Sequence, residues 1–228
     1  MPLENTVVVM TDDYQVIQQC VDRAVTLERH KGRFRRAIRN SLPRLHRNIR
    51  LPQQDGPLRL TSFVIRYIQA VPKWLRQLET LCAAAGIEFT PVRELIGRYF
   101  AEPQERHPDH VGLGALLDDA YLAHRVLEEI NEQLQPACGL PLLPMDPMVA
   151  NLVVRELLGE TFAVELDAVS VKLGSRYRGQ KLGPDSLVSL ILCRQRFVDT
   201  PGEWPDFAAE LQIGLRAPAL AMDTDTLH

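Results

Sequence analysis

The sequence lacks the motifs that mark the common enzyme classes. It contains no Gly-x-Ser-x-Gly and no His-Glu-x-x-His, and no serine has a neighbouring base that the sequence can place. It also lacks a helix-turn-helix pattern and the aromatic motif of RNA-binding sheets. These absences favour an interaction or regulatory role over catalysis, without deciding the question, and they imply no cofactor.

Cysteine pairs and long apolar runs are missing as well. The four cysteines, Cys20, Cys82, Cys138 and Cys193, form no CxxC pair and no Cys–His spacing that suits zinc. Their apolar neighbours predict reduced, mostly buried thiols, as in a cytoplasmic protein, and leave one or two disulfides as the alternative. No run approaches the ~20 apolar residues that span a bilayer. Residues 1–5 do not begin a secretory signal. We therefore expect a soluble, cytoplasmic protein without a transmembrane segment.

Helical periodicity dominates what is present. The 228 residues are 46% hydrophobic, which is enough to bury a sizeable core. Short loops between helical patterns predict an all-α fold, an irregular antiparallel bundle of about seven to eight helices. We expect one helical domain over residues 1–217, with a possible internal boundary in the proline-rich stretch 136–146. Residues 218–228 are expected to form a mobile tail.

The most regular pattern covers residues 113–134. Apolar residues recur there at alternating gaps of four and three, which predicts a helix with one buried side. Charged residues such as Asp119 and Glu129 are expected on the side that faces water. Two polar residues, His124 and Asn131, fall within the apolar stripe. Because a buried polar group without a partner costs about 1–3 kcal/mol, each should form a hydrogen bond.

Residues 29–54 form a basic segment without a single Asp or Glu between Glu28 and Asp55. Phe34 and Ile38 begin an apolar stripe through it, so we predict a basic amphipathic helix, or two short helices if Pro43 breaks it. The arginines that we expect to make contacts are Arg33, Arg35, Arg36, Arg39, Arg44, Arg47 and Arg50.

These arginines suit an anionic partner, because the planar guanidinium binds a carboxylate or a phosphate in two places. The partner would be an acidic protein surface, a second copy of the chain in a homo-oligomer, or a polyanion such as nucleic acid. An anionic membrane surface is a further possibility. The alternative is internal balance, since residues 101–170 are rich in Asp and Glu and would face the basic segment within the fold.

A metal centre is the competing hypothesis. His124 and Glu128 are four positions apart, as are Glu156 and Glu160, so each pair would share a helix face. If the two helices packed together, they would present the ligands of a di-iron or di-manganese site. The Glu-x-x-His repeat of such bundles is absent, and His124 would otherwise bond a backbone carbonyl, Tyr121 or Glu128. A weaker ligand group lies in a loop: Glu105, His107, Asp109 and His110.

Two further binding hypotheses remain. The loop 174–183 contains glycines and basic residues, but Gln180 and Lys181 depart from the phosphate-binding-loop pattern, so a surface turn is the simpler interpretation. A small-molecule-binding domain is also consistent with the aromatic residues, which would rim an apolar pocket or belong to the core. These are Tyr67, Trp74, Tyr99 and Tyr121.

Overall fold

The computed structural model describes residues 13–45, 47–101, 112–143, 147–197 and 207–216. Within them the chain is all-α, as predicted. The helices are α1 (Asp13–Lys31), α2 (Arg33–Leu45), α3 (Gly56–Ala85), α4 (Thr90–Ala101), α5 (Leu113–Cys138), α6 (Met148–Leu158), α7 (Glu160–Gly174), α8 (Pro184–Gln195) and α9 (Phe207–Glu210). A 3-10 turn covers Ser175–Tyr177. The tail 218–228 and the loop group Glu105, His107, Asp109 and His110 lie outside the described residues.

Glycine is a common helix stop in a sequence, and Gly86 ends α3. Gly86 has φ 73°, a left-handed conformation that glycine adopts without steric cost. Its N–H bonds the Ala83 carbonyl at 3.0 Å, and the Ile87 N–H bonds the Cys82 carbonyl at 2.8 Å. Of the two alternatives for the basic segment, division at Pro43 is not seen, because α2 continues through this proline. Pro43 lies in the last turn of α2, and because it has no N–H it cannot donate to the Arg39 carbonyl one turn earlier.

The core forms around α5 and α3. α5 packs against α1, α3, α4, α6 and α7, while α3 also contacts α2, α8 and α9. Because neighbouring helices surround α5, this helix largely lacks the predicted side that faces water. Asp119 and Glu129 are only 8% and 9% exposed, so their predicted placement in water is wrong.

Two details of the C-terminal half differ from expectation. The helical pattern that continues from residue 148 to residue 174 is divided at Gly159, whose φ of 91° and ψ of 146° lie outside the helical region. The many apolar residues at positions 187–197 predict a well-buried helix. In α8, however, Val188 and Leu192 are more than half exposed and Leu190 alone is fully buried. The apolar composition of α8 predicts a helix, but it does not predict how much of that helix is buried against the rest of the fold.

Gly174 lets α7 approach α5 closely. A Cβ built at Gly174 would lie 2.6 Å from the Glu129 Cβ and 3.3 Å from the Glu129 backbone carbonyl carbon. We expect Gly174→Ala to lower the free energy of unfolding by about 1–3 kcal/mol, because the two helices must separate to admit the methyl group. Urea denaturation measures this. The same change at Gly183, where the built Cβ meets nothing within 4 Å, is the control. Equal effects at both positions would contradict the close approach.

A pair of two-residue strands closes the fold. β1 (Ile49–Arg50), directly after α2, pairs antiparallel with β2 (Gly214–Leu215). The Arg216 N–H then bonds the Asn48 carbonyl at 2.8 Å. The pairing brings the last described residues beside the end of the basic segment.

Candidate interaction surface

The start of α2 is fixed by a buried carboxylate. Gly32 turns the chain between α1 and α2 with φ 57°. The Glu28 side chain, 8% exposed, then accepts hydrogen bonds from the Phe34 N–H at 2.9 Å and the Arg35 N–H at 3.0 Å. These donors have no partner within the helix, and the negative charge suits its N-terminus. Glu28 was not singled out from the sequence, because it precedes the helix by more than a usual capping residue does.

The seven arginines, which we call the basic surface, project from this anchored segment. Each of them is exposed. None forms an ion pair with a carboxylate in the described parts of the chain. The basic surface comprises Arg33, Arg35, Arg36, Arg39, Arg44, Arg47 and Arg50.

Other arginines neutralise four of the described acidic residues of the second half. Arg125 pairs with Glu128, with Glu129 at 3.1 Å and with Asp167 at 3.0 Å. Arg155 pairs with Asp167 and, at 2.6 Å, with Glu160. Internal balance between the basic segment and residues 101–170 is therefore not seen among the described carboxylates.

A groove runs beside α2. The apolar side of α2 packs on α3. The groove is an open cavity of about 380 Å³ between α2 and the helices α5, α6 and α7. Arg33 and Arg44, both on α2, line it together with Asp118 of α5. The apolar floor consists of Phe34, Ile38, Leu117, Leu157, Leu158 and Phe162.

His124 lies in the core rather than at this groove. It is 1% exposed, and its Nε2 lies 2.9 Å from the Tyr67 carbonyl oxygen. Because a carbonyl only accepts, Nε2 carries the hydrogen and donates it. Burial lowers the pKa of His124 to about 4, with a smaller opposing effect from the Tyr67 hydrogen bond, so the ring is neutral at pH 7. The expected hydrogen bond to a carbonyl is present.

The four residues of the metal hypothesis have separate partners. The Glu128 carboxylate accepts from Arg125 and, at 2.8 Å, from the Asn151 amide, whose Oδ1 in turn accepts from Tyr67. Gly159 places Glu156 and Glu160 on different helices, so they do not share a face. Glu156 accepts from Asn48 at 2.7 Å and Glu160 pairs with Arg155. Across the described ranges, no three His, Cys, Asp or Glu side chains form a group that could hold a metal ion.

The remaining candidates from the sequence are the four aromatic residues and the loop 174–183. Tyr67, Trp74 and Tyr121 belong to the core, and Tyr99 is partly buried. In the loop 174–183, Tyr177 is buried and donates to the Glu88 carbonyl at 3.0 Å. None of these aromatic residues lines the groove, whose walls come from helices that are distant in sequence.

Comparison of the chain with protein-family models, with curated proteins and with solved structures finds no match. In the parts of the chain that the structure describes, no helix has the length and apolarity needed to cross a membrane. Functional inference therefore depends on the surfaces described above.

Proposed function

We propose that the protein is an interaction module that uses the basic surface to contact an acidic surface of a partner protein. The observation that carries this proposal is the exposure of all seven arginines without a carboxylate partner among the described residues. Concentrated charge of one sign accelerates encounters with an oppositely charged partner and selects against other partners. The buried carboxylate of Glu28 anchors α2, which presents five of these arginines, and Arg47 and Arg50 follow it in the chain.

Charge reversal of Arg35, Arg36 and Arg39 tests the proposal. The triple Arg→Glu variant should bind fluorescent polyglutamate at least about tenfold more weakly than the native chain, because it replaces attraction by repulsion. Fluorescence anisotropy measures this, and native binding should weaken as salt rises. Since the three side chains are exposed, the free energy of unfolding should change by less than about 0.5 kcal/mol.

The matched control reverses Arg23, Arg98 and Arg176, which are exposed and lie outside the basic surface. It changes the net charge equally and should bind nearly as the native chain does. Equal weakening by both triple variants would show a general charge effect and contradict the proposal. Unfolding of the Arg35, Arg36 and Arg39 variant would contradict it too. Tighter binding of a DNA duplex than of polyglutamate at equal salt would assign the surface to nucleic acid instead.

A further inference from the structure

We infer that the groove beside α2 is a docking site for an amphipathic α-helix of the acidic partner. This inference rests on the proposed function and adds the form of the partner segment. An amphipathic helix binds a hydrophobic groove through apolar anchors at positions i, i+4 and i+7. The groove offers such a helix an apolar floor and a cation toward each end.

The two cations set the length of the occupant. Arg33 and Arg44 are eleven positions apart on α2, which is about three turns and about 16 Å along the axis. They therefore lie on nearly the same side of the helix, and both line the groove. A helix lying along α2 would match them with two acidic residues that are also about eleven positions apart.

The side chains between the two arginines determine where the partner carries its apolar residues. Along α2, Phe34, Ala37 and Ile38 line the groove between Arg33 and Arg44. A partner acid at either end would meet an arginine, whereas apolar side chains between the two acids would meet this apolar stretch. The complementary pattern is therefore an acidic residue, three apolar anchors and a second acidic residue.

The apolar floor and the volume of the groove suit the apolar anchors of the partner helix. Phe34, Leu157, Leu158 and Phe162 are partly exposed and present apolar surface to the groove. A cavity of about 150 Å³ holds one benzene-sized group. The 380 Å³ of the groove therefore suits two to three apolar side chains.

Two other occupants match the groove less well. A nucleic acid carries charge all along its backbone, so it would place phosphates beside the apolar side chains that line the groove between Arg33 and Arg44. A small amphiphile with one head group fits the volume, which falls in the ~300–1,000 Å³ range of ligand pockets. It would neutralise one arginine and leave the other unmatched.

The test uses a synthetic helical peptide with leucines at i, i+4 and i+7 and glutamates about eleven positions apart that flank them. Fluorescence anisotropy with the full chain should show binding. The variant Arg33→Glu with Arg44→Glu should weaken it at least about tenfold. Arg23→Glu with Arg98→Glu, the same charge change at exposed positions outside the basic surface, should weaken it less than about threefold.

Two further measurements separate shape from charge. Ala37→Trp fills the groove from an exposed position without changing charge, and should also weaken peptide binding at least about tenfold. A peptide with lysines in place of its glutamates should bind the Arg33→Glu, Arg44→Glu variant more tightly than the native chain. This reversal depends on folded protein, so loss of fold cannot imitate it.

The opposite results identify what has failed. Absence of peptide binding, together with polyglutamate binding that needs Arg35, Arg36 and Arg39, would overturn the groove inference and leave the proposed function intact. Absence of both would overturn both. Binding of dodecanoate that Ala37→Trp abolishes, without peptide binding, would assign the groove to a small amphiphile and also overturn the inference.

Discussion

Replacement of Arg125 by methionine should lower the free energy of unfolding by about 3 kcal/mol. The side chain is 21% exposed and holds three carboxylates from two helices: Glu128 and Glu129 of α5 and Asp167 of α7. Methionine retains much of the volume but leaves Glu128 and Glu129 without their guanidinium and Asp167 with one arginine, Arg155, in place of two. Removing the partner of partly buried carboxylates is far costlier than losing an exposed pair. Urea denaturation gives the change directly, and the thermal midpoint should fall by about 6–12 °C for a chain of this size.

The control for this prediction is Arg98→Met on α4. Arg98 is exposed and has no ion pair within the described ranges, so its replacement should cost less than about 0.5 kcal/mol. Asp167→Asn provides a coupling test, since it should cost less in the Arg125→Met background than on its own. Additive costs, or a loss below about 1 kcal/mol for Arg125→Met, would show that the three carboxylates find other compensation.

Replacement of Asp119 by asparagine should stabilise the protein at neutral pH by about 2–4 kcal/mol. Burial, with a smaller effect from the charge of Asp118, raises the pKa of Asp119 from 3.8 to about 8. The folded protein at pH 7 therefore carries a proton that the unfolded chain has released. Asparagine has nearly the same shape and no charge to lose, so it removes this cost.

The pH dependence has a defined sign. Between pH 3.8 and about 8 the folded state binds one more proton at Asp119 than the unfolded state does, so stability falls as pH rises through this window. Asp119→Asn should remove that part of the slope, with little effect at pH 4 and its full effect near pH 8. Asp22→Asn, on the exposed face of α1, is the control. If the native and Asp119→Asn proteins had the same free energy of unfolding at pH 8, as they should at pH 4, the raised pKa of Asp119 would be contradicted.

Local chemistry explains why most helix positions could be predicted. Apolar residues recur at helical spacing in the sequences of α1, α3, α4 and α5, and a glycine, Gly86, follows α3. These signals act within a few residues, so the sequence alone is enough to predict such helices. The position of Asp119 shows the limit. Its place outside the apolar stripe suggested contact with water, but α1 packs on α5 as well, and the helix is enclosed. Periodicity on one helix does not reveal how many neighbours surround it.

Of the two parts of the candidate site, the basic surface could be predicted from the sequence and the groove could not. The basic surface could be predicted because it lies in one continuous segment, and the absence of acids there is plain to see. The groove could not, because Arg33, Asp118, Leu157 and Phe162 come from four different helices. Glu28 was missed for a related reason: the turn at Gly32 brings its carboxylate back to amides six and seven residues later.

The pairing of β1 with β2 has a consequence for the order in which the molecule is completed during its synthesis. The ribosome makes α1 and α2 long before residues 214–215, so Ile49 meets its partner Leu215 only after all the residues between the two strands have been made. Chains grow at about 5–20 residues per second, so the segment after α2 waits on the order of ten seconds for its partner strand. The arginines thus exist in the nascent chain well before the fold that frames them is closed.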